Sequence, residues 1–330
     1  MRSKSSLLSS LTIGLLFTAV TVAPSVALAQ SDSYPSRTLT LVVPFAPGGA
    51  SDVAGREMAS RLSSSLGQPV VVDNRPGASG VTAANFVLNN RPDGYTLLLM
   101  NSAKVVLKAM NPAVRYEPVS DFATVSLFAK IPTVLVVPAN KGIKDFESLK
   151  TQLKNSAESG WGSPGVGTAP HLAGSTLLSA MGSDTPHVAY KGSAPLHLDL
   201  LPGRLLFAID SYTAIKPHIA SGAVTPVAVI GHQRLEALPA VPTLTELGYQ
   251  QFSKVLYDGW NSIDVHHQTP APIVEKLNQE IGKILEAPDM KDKMRSLDMS
   301  MFSRHSSADA QAFANTSARE LTPLASRLKP

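Results

Sequence analysis

The chain has 330 residues, with 29 lysines and arginines against 25 aspartates and glutamates, and no cysteine. The missing thiols exclude disulfides, thiolate metal sites, cysteine nucleophiles and iron–sulfur clusters. A formal net charge of +4 is too diffuse for nucleic-acid or membrane-surface binding, which needs a dense basic patch. Arg2 and Lys4 precede an apolar run from Leu7 to about Val26, and Ala27-Leu28-Ala29 supplies the small-x-small pattern of a cleavage site. Residues 1–29 therefore read as a cleaved secretory signal peptide. As a membrane anchor the run is too broken, by Ser9, Ser10, Thr12, Gly14, Thr18 and Pro24, for the ~20 continuous apolar residues a span needs. With no cysteine past the cleavage site, a lipid-anchored form is excluded. The mature chain from Gln30, roughly 300 residues, is long enough for two domains.

Apolar strand-like runs then alternate with helical patterns. Thr38–Phe45 is β-branched and apolar and breaks at Pro47-Gly48-Gly49. Ala54, Met58, Leu62 and Leu66 recur four apart on one helix face, and Gly67 stops that helix where a left-handed residue commonly does. Pro69–Val72 reads as a strand, Arg75-Pro76-Gly77 as a turn and Val81–Leu88 as a helix. Thr96–Met100 is uniformly apolar, as in a strand covered by helices on both faces. Such repetition predicts a parallel sheet with right-handed crossovers.

The alternation restarts with a strand at Thr133–Val137 and a helix over 145–154 capped by Asp145. Strands at Val188–Tyr190, Leu205–Ile209 and Val224–Ile230 are separated by helices near Leu172–Met181, Pro195–Leu201 and Tyr212–Ala220. The tail from Pro272 is helical, with a core-facing stripe of Ile273, Leu277, Ile281 and Leu285. No internal repeat or long linker stands out. Two α/β units without a linker predict two lobes joined by two crossings, near Ile131-Pro132 and Val255–Gly259. Lobe 1 then comprises residues 30–130 and 255–330, and lobe 2 residues 131–254. A cleft between lobes, at strand carboxyl ends, is the natural small-molecule site.

Three glycine-bearing turns are candidates for that site. In the first, Phe45 can lie along a ligand, while Pro47, Gly48, Gly49 and Ser51 bring backbone N–H groups and a helix N-terminus towards it. In the second, Ser163, Gly167, Thr168 and His171 open another helix, so that hydroxyls and N–H groups suit an anion, with the Thr168 hydroxyl expected on a carboxylate. The third is Tyr190-Lys191-Gly192-Ser193, with Asp210 in the matching place after the 205–209 strand, either receiving a ligand donor or capping the next helix. Asn101, just past the Thr96–Met100 strand, completes the set.

Residues 160–165 match G-x-G-x-x-G, but the dinucleotide fingerprint needs an apolar strand immediately before it, and residues 155–159 are polar. Ser163, His171 and Asp210 are the residue types of a hydrolase triad. However, Trp161 stands where a nucleophile elbow needs its first glycine, and triads are defined by geometry. No H-E-x-x-H spacing occurs, and adjacent His266 and His267 cannot both face one metal from a strand. No catalytic residue, cofactor or metal is expected.

The blocks YPSRTLTLVVPFAPGGASD (34–52), LGQPVVVDNRPGASG (66–80), PDGYTLLL (92–99), GTAPHLAG (167–174), YKGSAP (190–195) and LPAVPTLTELGY (238–249), in that order, resemble the Bug family. These are periplasmic substrate-binding proteins of tripartite tricarboxylate transporters. The resemblance implies an α/β, two-lobed type II periplasmic-binding-protein fold that closes around a small organic carboxylate, held largely by backbone amides, hydroxyls and water. It implies that the 45–51 loop faces the 163–171 loop, and that Tyr190–Gly192 and Asp210 line the second lobe. It further implies a periplasmic monomer that docks transiently on membrane permease subunits, with no nucleic-acid partner. Two other classes are a sensor subunit presenting its liganded form to a membrane kinase and an exported hydrolase.

The chain departs from the family pattern at Ser175, where an acid is common, and in a shortened stretch between Asn111 and Tyr116. Asp264, His266, His267 and Gln268 replace an apolar stretch. Lys104 is also unusual, and reads either as a cation for a more anionic ligand or as a solvated loop lysine.

Overall fold

A computed structural model describes residues 34–326 apart from 112, 156–159, 232 and 254–258. The signal-peptide segment and most of the second predicted crossing lie outside the described residues. The strands form two sheets. The first runs β11-β4-β10-β3-β1-β2, from β1 (Leu39–Val43), β2 (Val70–Asn74), β3 (Thr96–Asn101), β4 (Phe122–Ile131), β10 (Gly259–His266) and β11 (Ser300–Met301). The second runs β7-β6-β8-β5-β9, from β5 (Thr133–Pro138), β6 (Trp161–Ser163), β7 (His187–Ala189), β8 (Phe207–Ser211) and β9 (Val224–Ile230).

The sheets are mixed, not parallel throughout. In the first, β2-β1-β3 is parallel and β10 enters antiparallel between β3 and β4. In the second, β7-β6-β8 is parallel and β5 enters antiparallel between β8 and β9. The reason is the chain path: β5 follows β4 directly after crossing from the first sheet, and β10 is the first strand after the return. Each sheet thus receives one reversed strand from the other. Leaving aside the edge strand β11, the two orders are equivalent position by position, a repeat of topology that the sequence does not display.

Helices α1 (Ala50–Leu66), α2 (Val81–Leu88), α3 (Leu107–Met110), α8 (Ala271–Glu286), α9 (Pro288–Ser296) and α10 (Ser307–Ala325) accompany the first sheet. Helices α4 (Phe146–Asn155), α5 (Ala169–Met181), α6 (Ser193–Leu200) and α7 (Tyr212–Ala220) accompany the second. Along α1 the four-residue stripe is realised by fully buried Ala54, Met58 and Leu62, which join Leu41, Val43, Leu97 and Leu99 in one core. Gly67 ends α1 at φ +67°, returning its N–H to the Ser63 carbonyl. On α8, buried Leu277, Ile281 and Leu285 pack into the same core, each contributing about 1.5–3 kcal/mol by leaving water. Asp145 accepts the Ser148 N–H at 2.8 Å, as a cap should. Ser306 and Asp309 form a capping box that fixes the start of α10.

The glycines of the 160–165 motif have packing roles. The strand lies inside the motif, at Trp161–Ser163, so Gly160 and Gly162 precede no helix. A Cβ on Gly162 would stand 2.3 Å from the Leu196 side chain, and one on Gly174 would stand 2.2 Å from the Trp161 ring. Trp161 is fully buried and stacks between Phe207 and His171.

Lys104 is neither solvated nor aimed at a ligand. Its side chain is 0% exposed, paired with the equally buried Asp264 of β10, and its ammonium also donates to Thr124 Oγ1 at 2.9 Å. The Ser262 hydroxyl donates to the other Asp264 oxygen. Two of the departures from the family pattern therefore satisfy each other inside the first sheet.

Candidate functional site

A cleft lies where the carboxyl ends of β1, β3, β6 and β8 meet the first residues of β5 and β10. The topological equivalence of the sheets recurs in its walls. Asn261 at the start of β10 pairs with Asn101 at the end of β3, and Thr133 at the start of β5 pairs with Ser211 at the end of β8. All four line the cleft.

The N-termini of four helices converge on it. The cap residues Gly49 (α1), Thr168 (α5), Gly192 (α6) and Ser211 (α7) all line the cleft, joined by Ala50, Ser51, Ala169, Pro170 and Ser193 from the first turns. The first amides of a helix have no intrahelical acceptor and carry the positive end of its dipole, so this geometry concentrates anion-binding potential. Among the described residues, no lysine, arginine or histidine is in the wall, and the one ionisable residue there is Asp210.

The loops that carry these helix starts are held rigidly. Asp52 is 2% exposed and accepts from the Gly48 N–H, the Arg56 guanidinium and the Asn74 amide. Burial pushes its carboxyl up, but those hydrogen bonds and the Arg56 charge outweigh it and hold the group below the usual range. Asn74 also donates to the Phe45 carbonyl at 3.0 Å, so two side chains staple the Phe45–Gly49 loop. Across the cleft, the Ala46 N–H donates to the Lys191 carbonyl at 3.2 Å. Gly192 sits at φ +123°, and a Cβ there would lie 3.5 Å from the Ala46 nitrogen. Only glycine takes that backbone without strain.

Seven of the sequence candidates meet in the wall: Phe45, Gly49, Ser51, Asn101, Thr168, Gly192 and Asp210. The other seven are placed elsewhere. Pro47 and Gly48 are exposed in the loop, and the Gly48 N–H is taken by Asp52. Ser163 is 0% exposed, with its hydroxyl 2.8 Å from His187 Nε2. Gly167 donates to His171 Nδ1 at 3.1 Å, and His171 lies beneath the surface against Trp161 and His187. Burial lowers the pKa of His171 to about 4 and, with the His171 ring beside it, that of His187 to about 3. Tyr190 donates its hydroxyl to Asp199 at 2.8 Å, and the Lys191 side chain is exposed.

The reading that Asp210 receives a ligand donor meets a buried carboxylate that already has protein partners on both oxygens. It is 0% exposed; one oxygen accepts from the Ser193 hydroxyl (2.8 Å) and the Ser211 N–H (2.7 Å), and the other lies 2.8 Å from His197 Nε2. Thr168 is also committed: its hydroxyl donates to the Gly165 carbonyl at 2.7 Å and caps α5 by accepting the His171 N–H. Ser163, His171 and Asp210 do not form a triad, because Ser163 is partnered with His187 and Asp210 with Ser193 and His197. No metal-binding group of three or more carboxylates and histidines occurs among the described residues.

Sequence reasoning missed Ser102, Thr133, Pro164, Ser193, Ser211, Trp260 and Asn261, all in the wall. Ser193 and Ser211 directly follow residues that were chosen, so the helix-start argument could have reached them. Trp260 and Asn261 had no comparable local signal, because β10 reaches the cleft only through long-range pairing.

A family model described as "Tripartite tricarboxylate transporter family receptor" matches residues 54–327. A UPF0065 protein encoded in the tcbD–tcbE intergenic region of Pseudomonas sp. (strain P51) is 38% identical over 81% of this chain and 79% of its own length. Protein BugT of Bordetella pertussis is 33% identical over 83% of each chain. Among solved structures, the periplasmic binding protein BugD aligns with a TM-score of 0.83 at 30% identity, covering 90% of this chain and all of BugD. Two Rhodopseudomonas palustris structures are similar. Rpa4515 with adipate has a TM-score of 0.84 at 29% identity, covering 90% of this chain and 99% of its own. MatC with bound malate has a TM-score of 0.81 at 26% identity, covering 88% of this chain and all of MatC.

Proposed function

Because the chain belongs to the tripartite tricarboxylate transporter receptor family, that of the Bug proteins, we propose that it is a periplasmic receptor for a small organic carboxylate, which it delivers to the permease of such a transporter. The observation that carries this reading is the convergence of four helix N-termini on a cleft whose described wall residues include no cationic side chain. Such a wall favours an anion over a cation through neutral donors and dipoles. Asp210, the one carboxylate among the described wall residues, is fully buried and already held by Ser193, Ser211 and His197, which makes it a poor partner for a ligand ammonium. Adipate and malate in two related structures agree with that preference. The protein performs no covalent chemistry in this reading.

The test is a thermal-shift screen of the mature protein, unfolded and refolded to strip carried-over ligand, against carboxylates and length-matched amines. A carboxylate at about 100 times its dissociation constant should add roughly 2.7 kcal/mol of stability. Stabilisation by amines alone would refute the reading.

A further inference from the structure

Asp210 puts a carboxylate into the wall of a cleft whose helix starts favour an anion. It is 0% exposed, and an unpaired charge at that depth is costly to bury. Two side chains of α6 clamp it: the Ser193 hydroxyl donates to Oδ1 at 2.8 Å, and His197 Nε2 lies 2.8 Å from Oδ2. Their four-residue spacing sets both on one helix face. An ionised carboxylate only accepts, so His197 Nε2 carries a proton towards it. The ring is then either neutral or, with Nδ1 protonated as well, an imidazolium. One proton therefore decides whether the pair adds a negative charge to the wall or none.

The titratable groups around that ring are few. Of the elements packed against α6, β6 carries none, β8 supplies Asp210, and α7 supplies His218, whose ring meets that of His197 edge-on with centroids 4.9 Å apart. Lys216 of α7 is engaged with Asp298 and lies over the Tyr212 ring. On α6 itself, Asp199 is held by Arg204 and Tyr190. Burial and the adjacent His197 ring hold His218 below the ordinary histidine range, against a smaller upward pull from Asp210. His197, in direct contact with the carboxylate, is the better placed of the two rings to take the proton.

We propose that His197 is the counter-cation of Asp210, and that the cleft takes up a proton on this pair as it binds its carboxylate. This rests on the carboxylate-receptor reading and adds a regulation to it. A ligand anion beside the Asp210 wall favours the imidazolium over the neutral ring, as any nearby negative charge does. By linkage, the imidazolium favours the ligand to the same degree. Affinity is therefore full where His197 is protonated, and falls as the pH rises through the titration of that ring.

The test uses isothermal calorimetry with straight-chain mono- and dicarboxylates of four to six carbons. The tightest binder is titrated from about pH 6 to about pH 9, where carboxylates stay ionised. Runs in two buffers of different ionisation enthalpy read the proton taken up. For the stripped wild type, affinity should fall about fivefold or more across that range, with net proton uptake on binding. His197→Gln keeps an amide donor for Asp210 but no ionisable ring, so its affinity should be flat with pH and about fivefold weaker than wild type at the acid end. Asp210→Asn keeps the shape and drops the charge, so it should bind more tightly than wild type at the alkaline end, where a merely structural role would weaken binding. His218→Gln should keep the wild-type fall. Flat wild-type affinity without proton uptake, which needs no variant to fold, would overturn the proposal and leave the receptor reading standing. So would a fall that survives in His197→Gln or vanishes in His218→Gln, each checked for folding by circular dichroism. Binding of none of the acids would overturn both.

Discussion

Replacing Lys104 by Met tests whether the first sheet depends on a buried ion pair or only tolerates one. Lys104 and Asp264 are both 0% exposed, and the ammonium reaches Thr124 and Ser262 as well as the carboxylate. In the variant, Asp264 keeps only the Ser262 hydroxyl among the bonds it makes here. A buried charge stripped of its partner costs about 3–5 kcal/mol. At roughly 2–4 °C per kcal/mol for a large domain, the melting point should fall by about 6–20 °C. The complementary change, Asp264→Leu in the Lys104→Met background, removes both charges and both desolvation penalties. Apolar replacement of a whole buried pair is often neutral or stabilising, so the double variant should recover most of the loss. The assay is urea denaturation of the two single variants and the double at pH 7.5, read as a double-mutant cycle. Single variants costing under about 1 kcal/mol, or a double variant as unstable as the sum of the singles, would refute the reasoning.

Three further outcomes follow from the cleft and its support. Gly49→Leu should abolish ligand binding while shifting stability by no more than about 1 kcal/mol, because Gly49 has φ −77° and a Cβ there meets only Ser193, at 3.7 Å; unchanged affinity by calorimetry would place the ligand elsewhere. Thr168→Ala should cost about 0.5–2 kcal/mol of stability as a lost helix cap, with affinity within threefold, since the hydroxyl proton is given to Gly165; a tenfold affinity loss at unchanged stability would contradict that. Lowering the pH should destabilise the fold below about 6.5, because unfolded histidines bind protons there while His171 and His187 stay neutral until about 4 and 3. The loss is on the order of 1–2 kcal/mol for each of these two histidines between pH 7 and pH 5, and His171 and His187 imidazole resonances titrating near 6.5 in the native protein would disprove it.

What the sequence disclosed and what it concealed divide along sequence separation. The α1 stripe, the Gly67 stop and the Asp145 cap are encoded within a turn or two of chain, and each was legible. So were the three glycine-bearing turns, because a strand end followed by glycine and a helix start is a local pattern. The antiparallel insertion of β10 was hidden, since its polar Asn261, Ser262 and Asp264 do not read as a strand until Lys104 and Thr124 are placed beside them. Ser163, His171 and Tyr190 have the right chemistry for a ligand but spend it on His187, Gly167 and Asp199. Composition identifies donors; only packing identifies which are already used.

That distinction bears on how the cleft selects its ligand. On the side of the second sheet, Ser193 gives its proton to Asp210, Thr168 gives its proton to Gly165, and Gly192 has no side chain to give. Beside them stand the Thr133 and Ser211 hydroxyls and the backbone amides and dipoles of the helix starts, and the latter favour an anion of almost any shape. Buried side-chain atoms without a hydrogen-bond partner among the described wall residues lie on the side of the first sheet, in Ser102, Trp260 and Asn261. Substitutions that alter specificity should therefore concentrate on β10 and the turn after β3, while substitutions in the turns after β6 and β8 should change stability first.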